Sequence, residues 1–183
     1  ATGSKSSSNG GLLASVTAPN GAVTSFEYNT LGYVTKVTSS DGLTIEYTYD
    51  GILLTEVNRD GKKQTYSYDD MTYRTSETDA AGHTTNYTYD GLGRLVEIED
   101  AEGNTIEYDY NLYSQVTSIK DSKGNETTFE YDGMGRLEYE TDEQNNQTQY
   151  VYGDSGCSSC GGSGKITKKV DPRGQTITYD YDS

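Results

Sequence analysis

The sequence predicts an all-β fold: tandem antiparallel β-hairpin repeats of about 21 residues, forming a spiralling strip or solenoid-like tube wall. Three observations predict it. An aromatic pair spaced by two recurs as Phe26 and Tyr28, Tyr47 and Tyr49, Tyr66 and Tyr68, Tyr87 and Tyr89, Tyr108 and Tyr110, Phe129 and Tyr131, Tyr150 and Tyr152, Tyr179 and Tyr181. The second members follow one another at intervals of 21, 19, 21, 21, 21, 21 and 29 residues. A glycine, or Asn145 in one case, stands seven residues before each second tyrosine, so this stretch is the rigid part of the unit and length variation falls elsewhere.

Residues 1–11 are small and polar and are expected to form a Gly/Ser-rich tail. Repeats occupy 12–152, a Gly/Ser/Cys insertion 153–165, and a final repeat 166–183. The strand that ends each repeat alternates strictly. In Thr105-Ile106-Glu107-Tyr108-Asp109-Tyr110, residues 106, 108 and 110 face one way and the polar residues the other, the pattern of a half-buried strand. Glu46, Thr48, Ser67, Thr88, Glu130 and Asp180 continue that solvent face. The sixteen paired aromatics are the expected core.

The companion strand is less regular. Its aliphatics come three apart, as in Val34 and Val37, Leu54 and Val57, Leu95 and Ile98, Val116 and Ile119. That spacing would split them between the faces of a flat strand. About two helical turns rich in Val and Thr and bounded by glycines make a poor helix. A β-bulge, or an aliphatic reaching the neighbouring unit, accounts for the spacing. Turns such as Ser40-Asp41-Gly42, Ala101-Glu102-Gly103 and Ser122-Lys123-Gly124 join the strands as hairpins. One hairpin is marginal in water, so units must pair edge to edge. Equivalent tyrosines then lie roughly 9.6 Å apart, with aliphatics of the intervening strand between them.

Composition adds a tension. Leu, Ile, Val and Phe make up 28 of 183 residues, in the range of disordered chains when the net charge is as high as the -15 found here. Eighteen tyrosines held largely in phase argue for order, because tyrosine combines apolar area with a polar tip and can build a thin, partly wet core. With 14 basic against 29 acidic residues, the composition argues against nucleic acid as a partner. No apolar run has the length of a membrane span, so membrane insertion is not expected.

Tyr89-Asp90-Gly91-Leu92-Gly93-Arg94-Leu95 and Tyr131-Asp132-Gly133-Met134-Gly135-Arg136-Leu137 resemble the YD repeats of the RHS family, with their Tyr-Asp-x-x-Gly-Arg-Leu, Gly-Asn and Thr-x-Tyr-x-Tyr elements. The resemblance runs from Leu12 to Asp182. The unit from Tyr49 is two residues short, and those from Tyr68 and Tyr110 lack Gly-Arg. What it implies is a spiral of hairpins, as in bacterial toxin cages and animal cell-surface teneurins, extracellular and without catalysis in the repeats.

No catalytic or cofactor-binding residues are assigned. Cys157 and Cys160 sit in the insertion and are expected to pair as a local disulfide; a metal shared between chains or free thiols are the alternatives. His83 has no second histidine beside it and reads as an exposed turn residue. Glu97, Glu99, Asp100 and Glu102 read as a solvated face ahead of a calcium site. Asp90 with Arg94, and Asp132 with Arg136, read as turn hydrogen bonds with weak ion pairs.

A copy placed after Ser183 would continue the repeat at an interval of 30 residues against 29 at the insertion. The leading expectation is therefore a non-enzymatic extracellular structural protein, a homo-polymer joined through its end strands into a filament or tube. A surface adhesin or carbohydrate-binding module, and a fragment of an RHS toxin-encapsulating shell, are the alternatives.

Overall fold

The structure is a computed structural model that describes residues 2–4, 11–153 and 164–181. It divides into two units, Ala1–Tyr87 and Thr88–Ser183. Among the described residues there is no helix.

Unit 1 holds β1 (Thr2–Ser4), β2 (Ser15–Thr17), β3 (Val23–Tyr28), β4 (Val34–Ser39), β5 (Thr44–Asp50), β6 (Leu53–Arg59), β7 (Lys62–Tyr68) and β8 (Arg74–Thr78), each antiparallel to the next. The expected tail thus contributes a strand: Thr2 pairs with Thr17 and Ser4 with Ser15, using β2 backbone groups left open by its other neighbour. β9 (Thr84–Tyr89) pairs with β8 and runs across the unit boundary. Unit 2 continues with β10 (Leu95–Glu99), β11 (Thr105–Tyr110), β12 (Val116–Asp121), β13 (Glu126–Tyr131), β14 (Leu137–Thr141), β15 (Gln147–Tyr152), β16 (Ile166–Val170) and β17 (Thr176–Thr178), paired in the same sequential manner.

The aliphatic spacing of three has a single cause in both units. Opposite six of the second tyrosines the register shifts by one: Asp109 faces Ser118 but Tyr110 faces Val116, leaving Thr117 as the extra residue of a β-bulge. The same shift falls beside Tyr28, Tyr49, Tyr68, Tyr131 and Tyr152. An extra residue between them returns the two aliphatics to one face. Tyr108 then opposes Ile119 and Tyr110 opposes Val116, the aromatic and β-branched pairs expected from the sequence. Tyr47 with Val57 and Tyr49 with Leu54 repeat the arrangement in unit 1.

The bulge also supplies an acceptor. The residue that faces one second tyrosine across the bulge offers its carbonyl to the hydroxyl of the next second tyrosine, as Val116, opposite Tyr110, does to Tyr131. Tyr28 reaches Leu13 at 2.8 Å, Tyr49 reaches Val34 at 3.0 Å and Tyr68 reaches Leu54 at 2.8 Å. In unit 2 Tyr110 reaches Leu95 at 2.7 Å, Tyr131 reaches Val116 at 2.7 Å, Tyr152 reaches Leu137 at 2.8 Å and Tyr181 reaches Ile166 at 2.8 Å. Each bond spans one hairpin and fastens its end to its beginning.

Among the described residues only Val57 and Ser118 are buried. The fourteen paired aromatics from Phe26 to Tyr152 are half-buried, while Tyr179 and Tyr181, also expected in the core, are exposed. Their strand end has no following strand among the described residues to cover it. The solvent-face positions Glu46, Thr48, Ser67, Thr88, Glu130 and Asp180 are all exposed. Each unit is therefore a single sheet with a tyrosine face that is damp and an opposite face that is wet.

Replacing Tyr110 with Phe is expected to lower the stability of the chain by about 1 kcal/mol in urea denaturation, the cost of leaving the Leu95 carbonyl unpartnered. Glu130→Ala on the exposed face is expected to stay within about 0.5 kcal/mol of the parent.

Candidate functional site

The two long edges of each strip are made of turns, and the exposed chemistry is concentrated there. Both edges use one five-residue turn. In Asp90–Arg94 the Gly93 amide donates to the Asp90 carbonyl at 2.9 Å and the Asp90 amide to the Arg94 carbonyl at 2.9 Å. Asp90 Oδ1 accepts the amides of Leu92 at 2.9 Å and Arg94 at 3.0 Å. The fourth residue adopts positive φ, 78° at Gly93, as in a three-residue hairpin loop closed by a left-handed residue. Turns opening at Asn29, Asp69, Asp79, Asp100, Asn111, Asp121, Asp132, Asp142 and Asp171 repeat these bonds. Thr72 and Ser114 take the left-handed position with side chains poorly suited to it, at φ of 70° and 61°, and Asn145, of a residue type that tolerates it, at 63°.

What differs is the fifth residue. On the edge that follows the tyrosine strands, Arg94 returns to Asp90 Oδ2 through Nε at 2.7 Å and Nη2 at 2.6 Å, and Arg136 does the same to Asp132 at 2.8 and 2.6 Å. These are the turn bonds and ion pairs that the sequence indicates. Each guanidinium also lies over the tyrosine sixteen residues on, 4.6 Å from the Tyr110 ring centre for Arg94 and 4.4 Å from that of Tyr152 for Arg136. Arg94 Nη1 further donates to the Asn111 carbonyl at 3.1 Å. Lys165 covers Tyr181 at 4.5 Å and Tyr33 stacks on Tyr49 at 5.4 Å, again sixteen residues apart. That recurring spacing is visible in the sequence and is the signal by which the ring cover could have been found.

On the opposite edge the fifth residue is Asn in three turns. Asn104, Asn125 and Asn146 donate Nδ2 to the Oδ2 atoms of Asp100, Asp121 and Asp142 at 2.8, 2.7 and 2.9 Å. His83 occupies this place in its turn, exposed, with Nδ1 3.1 Å from Asp79 Oδ2. Asp100 is thus committed to its turn, Glu102 is exposed at the tip, and Glu97 lies opposite Glu107 within the sheet. No group of three or more potential metal ligands occurs among the described residues. Cys157 and Cys160 lie outside them.

The turn carboxylates share an electrostatic signature. Asp90 and Asp132 are held below the ordinary 3.8 first by the arginine side chain and then by backbone amides. Asn side chains lower Asp100, Asp121 and Asp142, and His83 lowers Asp79. On the tyrosine face burial raises Tyr49, Tyr66, Tyr110, Tyr131 and Tyr152. Tyr150 is pushed up to about 12, chiefly by burial and then by its 2.8 Å bond to the Glu140 carboxylate.

The edges also differ at their tips. The third turn residue on the arginine edge is Leu31, Met71, Leu92, Tyr113 or Met134, and Ile52 stands at the shortened turn, all exposed apart from the turn itself. On the other edge the same place holds Asn20, Asp41, Ala81, Glu102, Lys123, Gln144 and Arg173. Sequence reasoning missed this row, although the turn positions were legible.

The family model described as RHS Repeat matches residues 8–44, 74–105, 89–124 and 110–142. No curated protein sequence matches the chain. Among solved structures, a TcdB2-TccC3-Cdc42 crystal structure is similar with TM-score 0.65 and 18% identity, covering 86% of this chain and 9% of that one. TcdB2-TccC3 without its hypervariable C-terminal region gives TM-score 0.66 at 18% identity over 86% of this chain and 9% of that one. A Photorhabdus luminescens Tc holotoxin pore gives TM-score 0.52 at 14% identity over 94% and 11%. The chain spans about a tenth of the length of these structures.

Thr72→Gly is expected to raise stability by about 1 kcal/mol, Gly93→Ala to lower it by about 1 kcal/mol, and Gly91→Ala, whose added Cβ meets open space, to change little, all read from denaturation midpoints. Stability from the lowered carboxylates is fully present above 3.8 and is lost as pH falls through their folded values; Asp132→Asn, which keeps a turn acceptor, is expected to flatten that loss. The raised tyrosines act in the opposite sense: their contribution is complete below 10.0 and disappears as pH rises, last of all at Tyr150 near about 12, which phenolate absorbance would follow.

Proposed function

Because the chain belongs to the RHS repeat family, we propose that it is a length of non-enzymatic wall in an extracellular RHS shell of the toxin-encapsulating kind. One observation carries the reading: the strip is one sheet thick, with two residues buried among those described. A globular domain folds its sheet over a dry core on at least one side. A sheet that keeps water at both faces suits a partition between an inside and an outside, its cohesion supplied by hydrogen bonds and tyrosine stitches along the sheet rather than by a second layer.

The family match and the likeness to TcdB2-TccC3 structures support this wall ahead of the free-standing filament joined through end strands. Both readings use the same sheet edges, and they differ in whether the strip closes on a volume. Enclosure needs no catalytic group in the wall itself.

Electron microscopy of the full natural polypeptide that carries these repeats is expected to show hollow particles bounded by a thin wall. Solid fibres that lengthen with protein concentration would instead favour the filament.

A further inference from the structure

The two prolines of the chain mark a pair of turns that differ in their first residue. In Asp171-Pro172-Arg173-Gly174-Gln175 that residue caps the turn, its Oδ1 accepting the amides of Arg173 at 2.9 Å and Gln175 at 2.7 Å. Ala18-Pro19-Asn20-Gly21-Ala22, between β2 and β3, keeps the backbone bonds: the Ala18 amide donates to the Ala22 carbonyl at 2.8 Å and the Gly21 amide to the Ala18 carbonyl at 2.9 Å. Ala18 has no cap to offer. The third residue acts in its stead, and Asn20 Oδ1 accepts the Ala22 amide at 3.1 Å.

That bond folds the Asn20 side chain forward over Gly21, as in an Asx turn, and turns its carbonyl carbon towards the Gly21 nitrogen. The approach is open. Residues 19–21 are exposed, and even a Cβ added at Gly21 would meet nothing within 4 Å. The Gly21 amide must first leave the Ala18 carbonyl, against one side-chain bond to the backbone here and two in the Asp171 turn. A carboxylate also fits the third place: Asp41 Oδ1 accepts the Leu43 amide at 3.2 Å in a turn that opens with Ser39. Asp41 itself is a poor electrophile, because the Ser39 hydroxyl and then the Leu43 amide hold it below 3.8, ionised at neutral pH. The uncharged amide of Asn20 has no such protection.

We propose that Asn20 is a self-modification site, whose side-chain amide is exchanged for a carboxylate through a succinimide formed with Gly21. The Gly21 nitrogen bonds to Asn20 Cγ and gives up its proton, the Cγ–Nδ2 bond breaks, and Nδ2 leaves with that proton as ammonia. Water, the only co-reactant, then opens the ring at either carbonyl. One opening gives aspartate, which matches the turn at Asp41. The other gives iso-aspartate, which routes the main chain through Cβ and Cγ and so lengthens the turn between β2 and β3. Either product adds a negative charge to a chain already at -15. The site depends on the fold of one hairpin and is independent of the wall reading.

Tandem mass spectrometry of peptides from the full chain, sampled during incubation at mildly alkaline pH, tests it. The expected result is a gain of about 1 Da at Asn20, with Asn104 and Asn125 unchanged. Ala18→Asp supplies the cap seen at Asp171 and leaves Asn20 and Gly21 in place. It is expected to slow the conversion about tenfold in the folded chain, the rate equivalent of a turn bond, and to leave it unchanged in urea. Should circular dichroism show that variant misfolded, Ala18→Asn, which copies the cap of Asn29, repeats the comparison. Asn9, also followed by glycine, reports on the conditions in each sample. An unconverted Asn20 beside a converted Asn9, equal rates in the folded parent and the capped variant, or a difference that persists in urea would overturn the proposal.

Discussion

Seven second tyrosines donate their hydroxyls to a backbone carbonyl at the start of their hairpin, and five of those carbonyls, of Val34, Leu54, Val116, Leu137 and Ile166, belong to a residue at a β-bulge. The bulge and the hydroxyl require one another. Without the extra residue the two aliphatics of a strand would fall on opposite faces, as Val116 and Ile119 would without Thr117. Without the hydroxyl, the carbonyl released from the ladder would lack a partner on the covered side of the sheet. Tyrosine meets both needs, because its ring packs against the aliphatic and its tip reaches the carbonyl. Phenylalanine occurs at the first aromatic place, as Phe26 and Phe129, and at none of the eight second places.

Much of this was legible. The invariant seven residues from turn glycine to second tyrosine follow from a rigid strand, and the spacing of three between aliphatics leaves two readings, a bulge or an aliphatic reaching the neighbouring unit, of which the register shows the bulge. The cross-strand partners of Tyr47 and Tyr108 were anticipated in kind. The hydroxyl bonds were not, since a contact fifteen residues away needs the register, and the register depends on where the bulge falls. Nor was the identity of the two turns. Gly-Arg and Gly-Asn look like different motifs, yet Arg94 and Asn104 do one job for Asp90 and Asp100, and only Arg adds cover for a ring. Burial was overestimated: a single sheet leaves its tyrosines half-wet, and Tyr179 and Tyr181 are exposed.

The candidate site was the least legible part, because attention to titratable residues leads to the wrong edge. Glu102 and His83 stand on the polar turns, where carboxylates serve backbone amides and water. The opposite edge carries apolar tips, and in unit 2 the Asp90–Arg94 and Asp132–Arg136 pairs, a pattern that appears only when turns are sorted by edge. Sorting requires knowing that all turns after tyrosine strands lie together, which alternation of strand direction guarantees once the hairpins are accepted.

The hydroxyl stitch can be observed directly by proton exchange at tyrosine hydroxyls, measured by nuclear magnetic resonance on isotope-labelled tyrosine. Tyr28, Tyr49, Tyr68, Tyr110, Tyr131 and Tyr152 are expected to exchange slowly, while Tyr47 and Tyr108, in the same sheet but at the first aromatic place, exchange as freely as tyrosine in water. Equal and rapid exchange at both sets would contradict the account.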